Sequence, residues 1–124
     1  MAGPYVTDVV VTTIAQNQSL SPQANIGDKT LIGIFLPSTW TAASLSFQAS
    51  PDGGTTFAEL VDSNAAAIAV SSITAGTNGT FIALDPSKWR GINCIKVRSG
   101  TSGAPVNQTN AAGAAIQLLT RYIA

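Results

Sequence analysis

The segment SLSFQASPDGGTTFAEL, running from Ser44 to Leu60, narrows the possible folds more than any other stretch of the chain. Leu45, Phe47 and Ala49 alternate with Ser44, Ser46, Gln48 and Ser50, which is the two-residue period of a strand with one buried face. Pro51-Asp52-Gly53-Gly54 follows and predicts a tight turn, because Pro presets one dihedral while Asp and Gly tolerate positive φ. Thr55 to Leu60 then returns as a second strand, with Phe57 as its largest apolar anchor. The apolar face of such a hairpin has to be buried against a second layer.

The rest of the chain reads in the same way. VTDVVVTTI, from Val6 to Ile14, is rich in β-branched residues and free of Gly and Pro, which predicts a strand. Ser21-Pro22 breaks the chain, and TLIGIFLP is a second strand, apolar enough for both faces to be covered. Gly33 inside it predicts a bulge or a close backbone approach, and Pro37 ends it. The Ala-rich DSNAAAIAVSSI admits either a weak strand or a short helix. Asn78-Gly79 is a strong hairpin-turn signal and leads into TFIALDP, with Phe81 on one face and Ile82 and Leu84 on the other. INCIKVRSG alternates apolar positions with Lys96 and Arg98, SGTSGAPVNQTNAAGA reads as a long flexible loop, and AIQLLTRYI closes the chain as a strand. About eight short strands punctuated by turns predict an all-β fold, an antiparallel β-sandwich or jelly-roll-like barrel with little helix. We expect a single domain over residues 1–124, with residues 1–15 forming an N-terminal strand or arm able to pair between molecules.

Composition bears on partners. Charged residues make up only 10% of the 124 residues, against about 25% in soluble domains. The surface must therefore consist mainly of Ser, Thr, Asn, Gln and Gly, either covered in part by a partner or simply neutral and hydroxyl-rich. Lys29, Lys88, Arg90, Lys96, Arg98 and Arg121 are balanced by as many acids, for a net charge of zero. No nucleic-acid partner is expected, because phosphate binding needs an excess of cations. No apolar run approaches the ~20 residues of a membrane span. The N-terminal residues carry no signal-peptide pattern. Cys94 has no second cysteine to pair with and sits in an apolar strand-like setting, which predicts a buried inert thiol and suits assembly in a reducing cytoplasm.

Catalytic chemistry has little to work with. The chain contains no histidine, which removes the commonest general base and metal ligand, and the Ser-His-Asp and Cys-His arrangements with it. We expect no enzyme, no cofactor and no metal. A small glycosidase would need two of Asp8, Asp28, Asp52, Glu59, Asp62 and Asp85 facing each other across a cleft, but Asp52 and Asp85 sit in turn sequences where Asp has a backbone role. Asp62-Ser63-Asn64 lacks the ligand rhythm of a calcium loop, and the Gly-Thr loops lack the Lys of a phosphate loop. The sequons at Asn17, Asn78 and Asn107 follow from an Asn-, Ser- and Thr-rich composition. Trp40 and Trp89 both follow turn residues. A loop Trp either stacks on a sugar or anchors an interface, or else caps one end of a core. The candidates for an interface are Trp40, Trp89, Arg90 and Arg98, together with Val9, Val11 and Tyr122 on the outermost strands.

FLPSTWTAASLSFQASPDGGTTFAELVD followed by ALDPSKWRGINCIKVRSGTSGAPVNQ covers residues 35 to 108. It resembles a family of small β-rich virion proteins of tailed bacteriophages, the head-decoration or cement proteins. The resemblance rests on Thr39-Trp40 ahead of the hairpin, the DGG turn with Phe57, and the step from Pro86 through Trp89 to Gly91 into a strand ending RSG. Trp89 stands where a Phe is often found, and Ala65 to Ala69 departs from the pattern. The resemblance implies binding to the outside of a lattice of major capsid protein, as a homo-oligomer (trimer or dimer) on the virion surface, after synthesis in the host bacterial cytoplasm. A carbohydrate-binding or adaptor module of a phage collar, tail or fibre is the alternative. The β-rich ends, VTDVVVTTI and AIQLLTRYI, are both candidates for pairing with a neighbour's strand.

Overall fold

A computed structural model describes residues 7–122. It is all-β, with strands β1 (Thr7–Ile14), β2 (Ala24–Asn25), β3 (Thr30–Leu36), β4 (Ala43–Ala49), β5 (Ala58–Glu59), β6 (Val70–Ile73), β7 (Thr80–Ala83), β8 (Cys94–Ser99) and β9 (Ala114–Arg121). One 3₁₀ turn, Pro86–Lys88, interrupts them. The strands form two antiparallel sheets, one in the order β1-β9-β3-β7 and the other in the order β2-β8-β4-β5, with β6 also paired to β4. No strand pair joins the two sheets among the described residues, so the arrangement is that of a sandwich.

The two-residue period decides which side chains meet. Ile14, Ile34, Ile116 and Leu118 from the first sheet pack against Leu45, Phe47, Ile95 and Val97 from the second. On β9 the alternation is regular: Ala114, Ile116, Leu118 and Thr120 are buried, while Ala115 and Gln117 are exposed. Trp40 and Trp89 lie in two of the connections that cross between the sheets, β3 to β4 and β7 to β8. Both are buried, 5% and 1% exposed. The Trp89 ring meets Phe47 edge-on, with centroids 4.8 Å apart and planes at 88°, a favoured aromatic geometry.

Several local expectations change. AIQLLTRYI is an interior strand: β9 is hydrogen-bonded to β1 on one side and to β3 on the other, so it has no edge to offer a neighbour. The Ala-rich segment forms neither helix nor continuous strand. Asp62 accepts the N–H groups of Asn64 and Ala66 (2.8 and 3.1 Å), Ala65 takes φ 60°, and only Val70–Ile73 reaches β4. The hairpin after β4 pairs over two residue pairs, Gln48 with Glu59 and Ala49 with Ala58. Phe57 stays in the loop, beneath Lys96 Nζ at 4.4 Å from its ring centroid. Gly33 follows a register shift in β3, and the Phe81 ring lies so close that an added Cβ would meet it at 2.9 Å. Val6 and Ile123, the outer ends expected of the first and last strands, lie outside the described residues.

The long loop after β8 is pinned down. Gln108 is fully buried. Its Nε2 donates to Thr41 O and Ser99 Oγ (3.1 and 2.9 Å), and its Oε1 accepts from Thr41 N (2.8 Å). Its backbone joins the turn after β1, through Asn17 N to Gln108 O and Gln108 N to Gln18 O.

Candidate functional site

The first sheet has an outer face, and its register builds a patch there. One row across the strands reads Val9, Leu119, Gly33, Ala83, and the next reads Val11, Gln117, Phe35, Phe81. Neither row holds a charged residue. Val9, Val11 and Phe81 are 49%, 58% and 55% exposed, and Phe35, Phe81, Gln117 and Leu119 line a shallow hollow of about 210 Å³. Phe81 covers Gly33, as an aromatic ring covers a strand glycine elsewhere, so part of its apolar surface is held outward by the packing beneath it. Charge enters at one end of the sheet, where Asp8 forms an ion pair with Lys29 and Arg121 follows Leu119 on the outward side of β9.

The structure separates the sequence-derived candidates. Val9 and Val11 belong to this patch. Tyr122 is exposed just beyond the end of β9, and Arg90 is exposed beside the 3₁₀ turn. Trp40 and Trp89 are out of reach of a partner, because the inter-sheet crossings carry their rings into the core. Arg98 is likewise buried. Its Nη1 donates to Glu59 Oε2 at 3.0 Å, Nη2 to Glu59 Oε1, and Nε to Ser46 Oγ at 3.2 Å, and Gln48 Nε2 donates to the same carboxylate at 3.1 Å. This network ties β4, β5 and β8 together on the outer face of the second sheet. Phe35, Phe81 and Leu119 were not singled out from the sequence. The one signal was the placement of Phe81 on the face opposite Ile82 and Leu84.

A second feature lies where the two sheets present β6 and β7. Two adjoining hollows of about 410 and 460 Å³ share Asp62, Ile68 and Lys88, and Asp85 and Trp89 line the larger one. The Asp62 carboxyl is held below its ordinary value by the N–H groups of Ala66 and Asn64 and then by Lys88. Asp85 is lowered by the Ser87 hydroxyl and N–H and then by Lys88. Both sets of partners favour the ionised carboxylate. No group of three or more potential metal-ligating side chains occurs among the described residues. Cys94 is a buried free thiol, and no helix among the described residues is long and apolar enough to cross a membrane.

In comparison with known proteins, no family model, no curated protein and no solved structure matches this chain.

Proposed function

We propose that the chain is a non-enzymatic structural protein of a bacteriophage virion, a decoration or cement protein that adheres as a homo-oligomer to the outer surface of a lattice of major capsid protein. The observation that carries the reading is the uncharged apolar patch of Val9, Val11, Phe35, Phe81 and Leu119 on the outer face of the first sheet. Exposed apolar surface arranged in one patch marks an interaction site. Four strands spaced ~4.8 Å apart, over about two rows of side chains, give a contact of a few hundred Å². That is well below the ~1,200 Å² of a stable pairwise complex. A contact of this size holds when many copies engage a repeating surface together, since each bound copy raises the effective concentration of the next contact.

The reading as a carbohydrate-binding module loses its stacking surfaces with the burial of both tryptophans. What remains for it is the polar-rimmed hollow beside Asp62, Asp85 and Lys88.

The test is to produce particles with and without the gene and to image them. Decoration predicts copies arranged with the symmetry of the head, and particles that assemble without the protein but release DNA at lower temperature. Density absent from the particle, or unchanged heat stability, overturns the reading.

A further inference from the structure

We infer that β1 is an intermolecular edge: two copies of this chain pair their β1 strands antiparallel about a two-fold axis and join their four-stranded sheets into one. The inference takes up the oligomeric part of the proposed function. It rests on four observations about one strand.

The first is length. β1 has eight residues, while the other strands at sheet margins have two (β2, β5) or four (β6, β7). The second is the lack of protection. Sheet edges are normally blunted by shortness, Lys, Pro or a bulge. Thr7–Ile14 contains no Lys, Pro or Gly, its one charged residue, Asp8, is near one end and paired with Lys29, and its register with β9 runs through eight consecutive pairs without a shift. The third is the open side: among the described residues no strand other than β9 pairs with β1. The fourth is continuity with the apolar patch, whose outermost members are Val9 and Val11.

The occupant that fits is a second copy. Residues opposite each other in an antiparallel pair point to the same face, so the outward-facing Val9 and Val11 must meet outward-facing partners. A two-fold register with Val9 against the partner's Val11, and Val10 against the partner's Val10, meets that requirement. It sets β-branched residues against one another, a favourable cross-strand pairing. Asp8 then falls opposite the partner's Thr12, whereas a parallel in-register pairing would set the two Asp8 carboxylates side by side. The same operation satisfies both open edges at once and doubles the width of the apolar patch. One strand pair buries less than the ~1,200 Å² of a stable complex, so the dimer is weak in free solution and is reinforced on a repeating surface.

Sedimentation velocity over a concentration series up to the millimolar range tests this, with hydrogen exchange read strand by strand. The native chain is expected to form a reversible dimer, with β1 amide protection rising with concentration and β7 protection unchanged. The V9K/V11K variant changes exposed side chains only, and is expected to keep the native circular dichroism and melting temperature but to sediment as a monomer. F81S, on the same face but at the far margin of the sheet, is expected to dimerise like the native chain. A native chain that stays monomeric throughout overturns the inference. So does loss of dimer in F81S equal to that in V9K/V11K, which would make the contact face-to-face. A dimer in solution with no copies on particles leaves the β1 contact standing and removes the capsid reading; decoration by a chain monomeric at every concentration does the reverse.

Discussion

Asp52 organises the loop between β4 and β5 through one carboxylate oxygen. Its Oδ1 accepts from Ser50 Oγ at 2.7 Å, Thr55 N at 3.1 Å and Thr56 N at 2.9 Å. These donors, the Ser50 hydroxyl first and Thr56 N–H next, hold its pKa at about 2, against 3.8 for an ordinary Asp. A carboxylate depressed on folding stabilises the native state above its unfolded pKa, and that contribution is lost as the pH falls through the folded value. Stability is therefore expected to decline between about pH 4 and pH 2, and Asp52→Asn should flatten that decline in acid-unfolding curves followed by tryptophan fluorescence. Gln108 acts in the interior. Its replacement by Ala strands Thr41 O and Thr41 N and leaves Ser99 Oγ with its bond to Val106 O alone, and a stranded buried group costs about 1–3 kcal/mol. Denaturant unfolding of Gln108→Ala should show a loss of about 2–3 kcal/mol; a loss under ~0.5 kcal/mol would mean that water replaces the amide. This role was not legible in the sequence. Gln108 stands in a run of Asn, Gln and Thr that looks solvated throughout, and its burial depends on a turn some ninety positions earlier in the chain, at Asn17 and Gln18.

Among the elements, strands with a strong local pattern were legible and those set by distant partners were not. The alternation from Ser44 to Ser50 and the β-branched run at Val9 to Ile14 are visible because their periodicity lies in adjacent residues. β2 is two residues long and exists because Ala24 and Asn25 lie against Ile95 and Cys94; no local pattern marks it. The place of β9 between β1 and β3 is also a long-range fact. AIQLLTRYI looks like any closing strand, and only its partners make it the middle of a sheet. The return of the opening hairpin is shorter than its residue pattern predicts, because Asp52 gathers Thr55 and Thr56 into the loop and delays pairing until Ala58. Asn78-Gly79 predicts a hairpin that does not form, since β6 pairs with β4 and β7 with β3, but the need for Gly at the bend into β7 was legible for a chemical reason that the structure makes specific. Gly79 has φ +93°, and a Cβ there would lie 2.5 Å from Leu36 O. Gly27 also has a positive φ, +65°, but open space around it. Both alanine substitutions meet backbone strain of about 1 kcal/mol, and only Gly79→Ala adds a clash with a carbonyl in β3. Thermal melting should rank the native chain above Gly27→Ala, and Gly27→Ala clearly above Gly79→Ala; equal melting temperatures would mean that the turn relaxes away from Leu36.

At the scale of the molecule, the two sheets divide the work. The second sheet spends its outer face on the Arg98–Glu59 network, while the first leaves Val9, Val11 and Phe81 exposed over a core that is already filled. The two rows of the patch on that first face have no charge of their own, Arg121 lying one row beyond them, so an interface confined to the patch should depend little on ionic strength. Raising salt from ~0.05 to ~0.5 M shortens the screening length about threefold, and particle binding should barely change; a steep fall would shift the contact to the charged groups at the sheet margins. Burying an aromatic side chain of this kind contributes about 1.5 kcal/mol or more, so Phe81→Ser should weaken each single contact roughly tenfold. In a dimer engaging two equivalent sites the losses combine, giving roughly a hundredfold for the pair. V9K/V11K loses two members of the patch as well as the β1 contact, so it should release from particles faster than F81S, which loses one. Release rates of labelled native, F81S and V9K/V11K protein from undecorated particles, measured after dilution, therefore report how far each loss weakens the attachment. Native protein releasing slowest and V9K/V11K fastest is the expected order; a native rate equal to that of V9K/V11K would mean that neither the patch nor the β1 contact holds the protein on the surface.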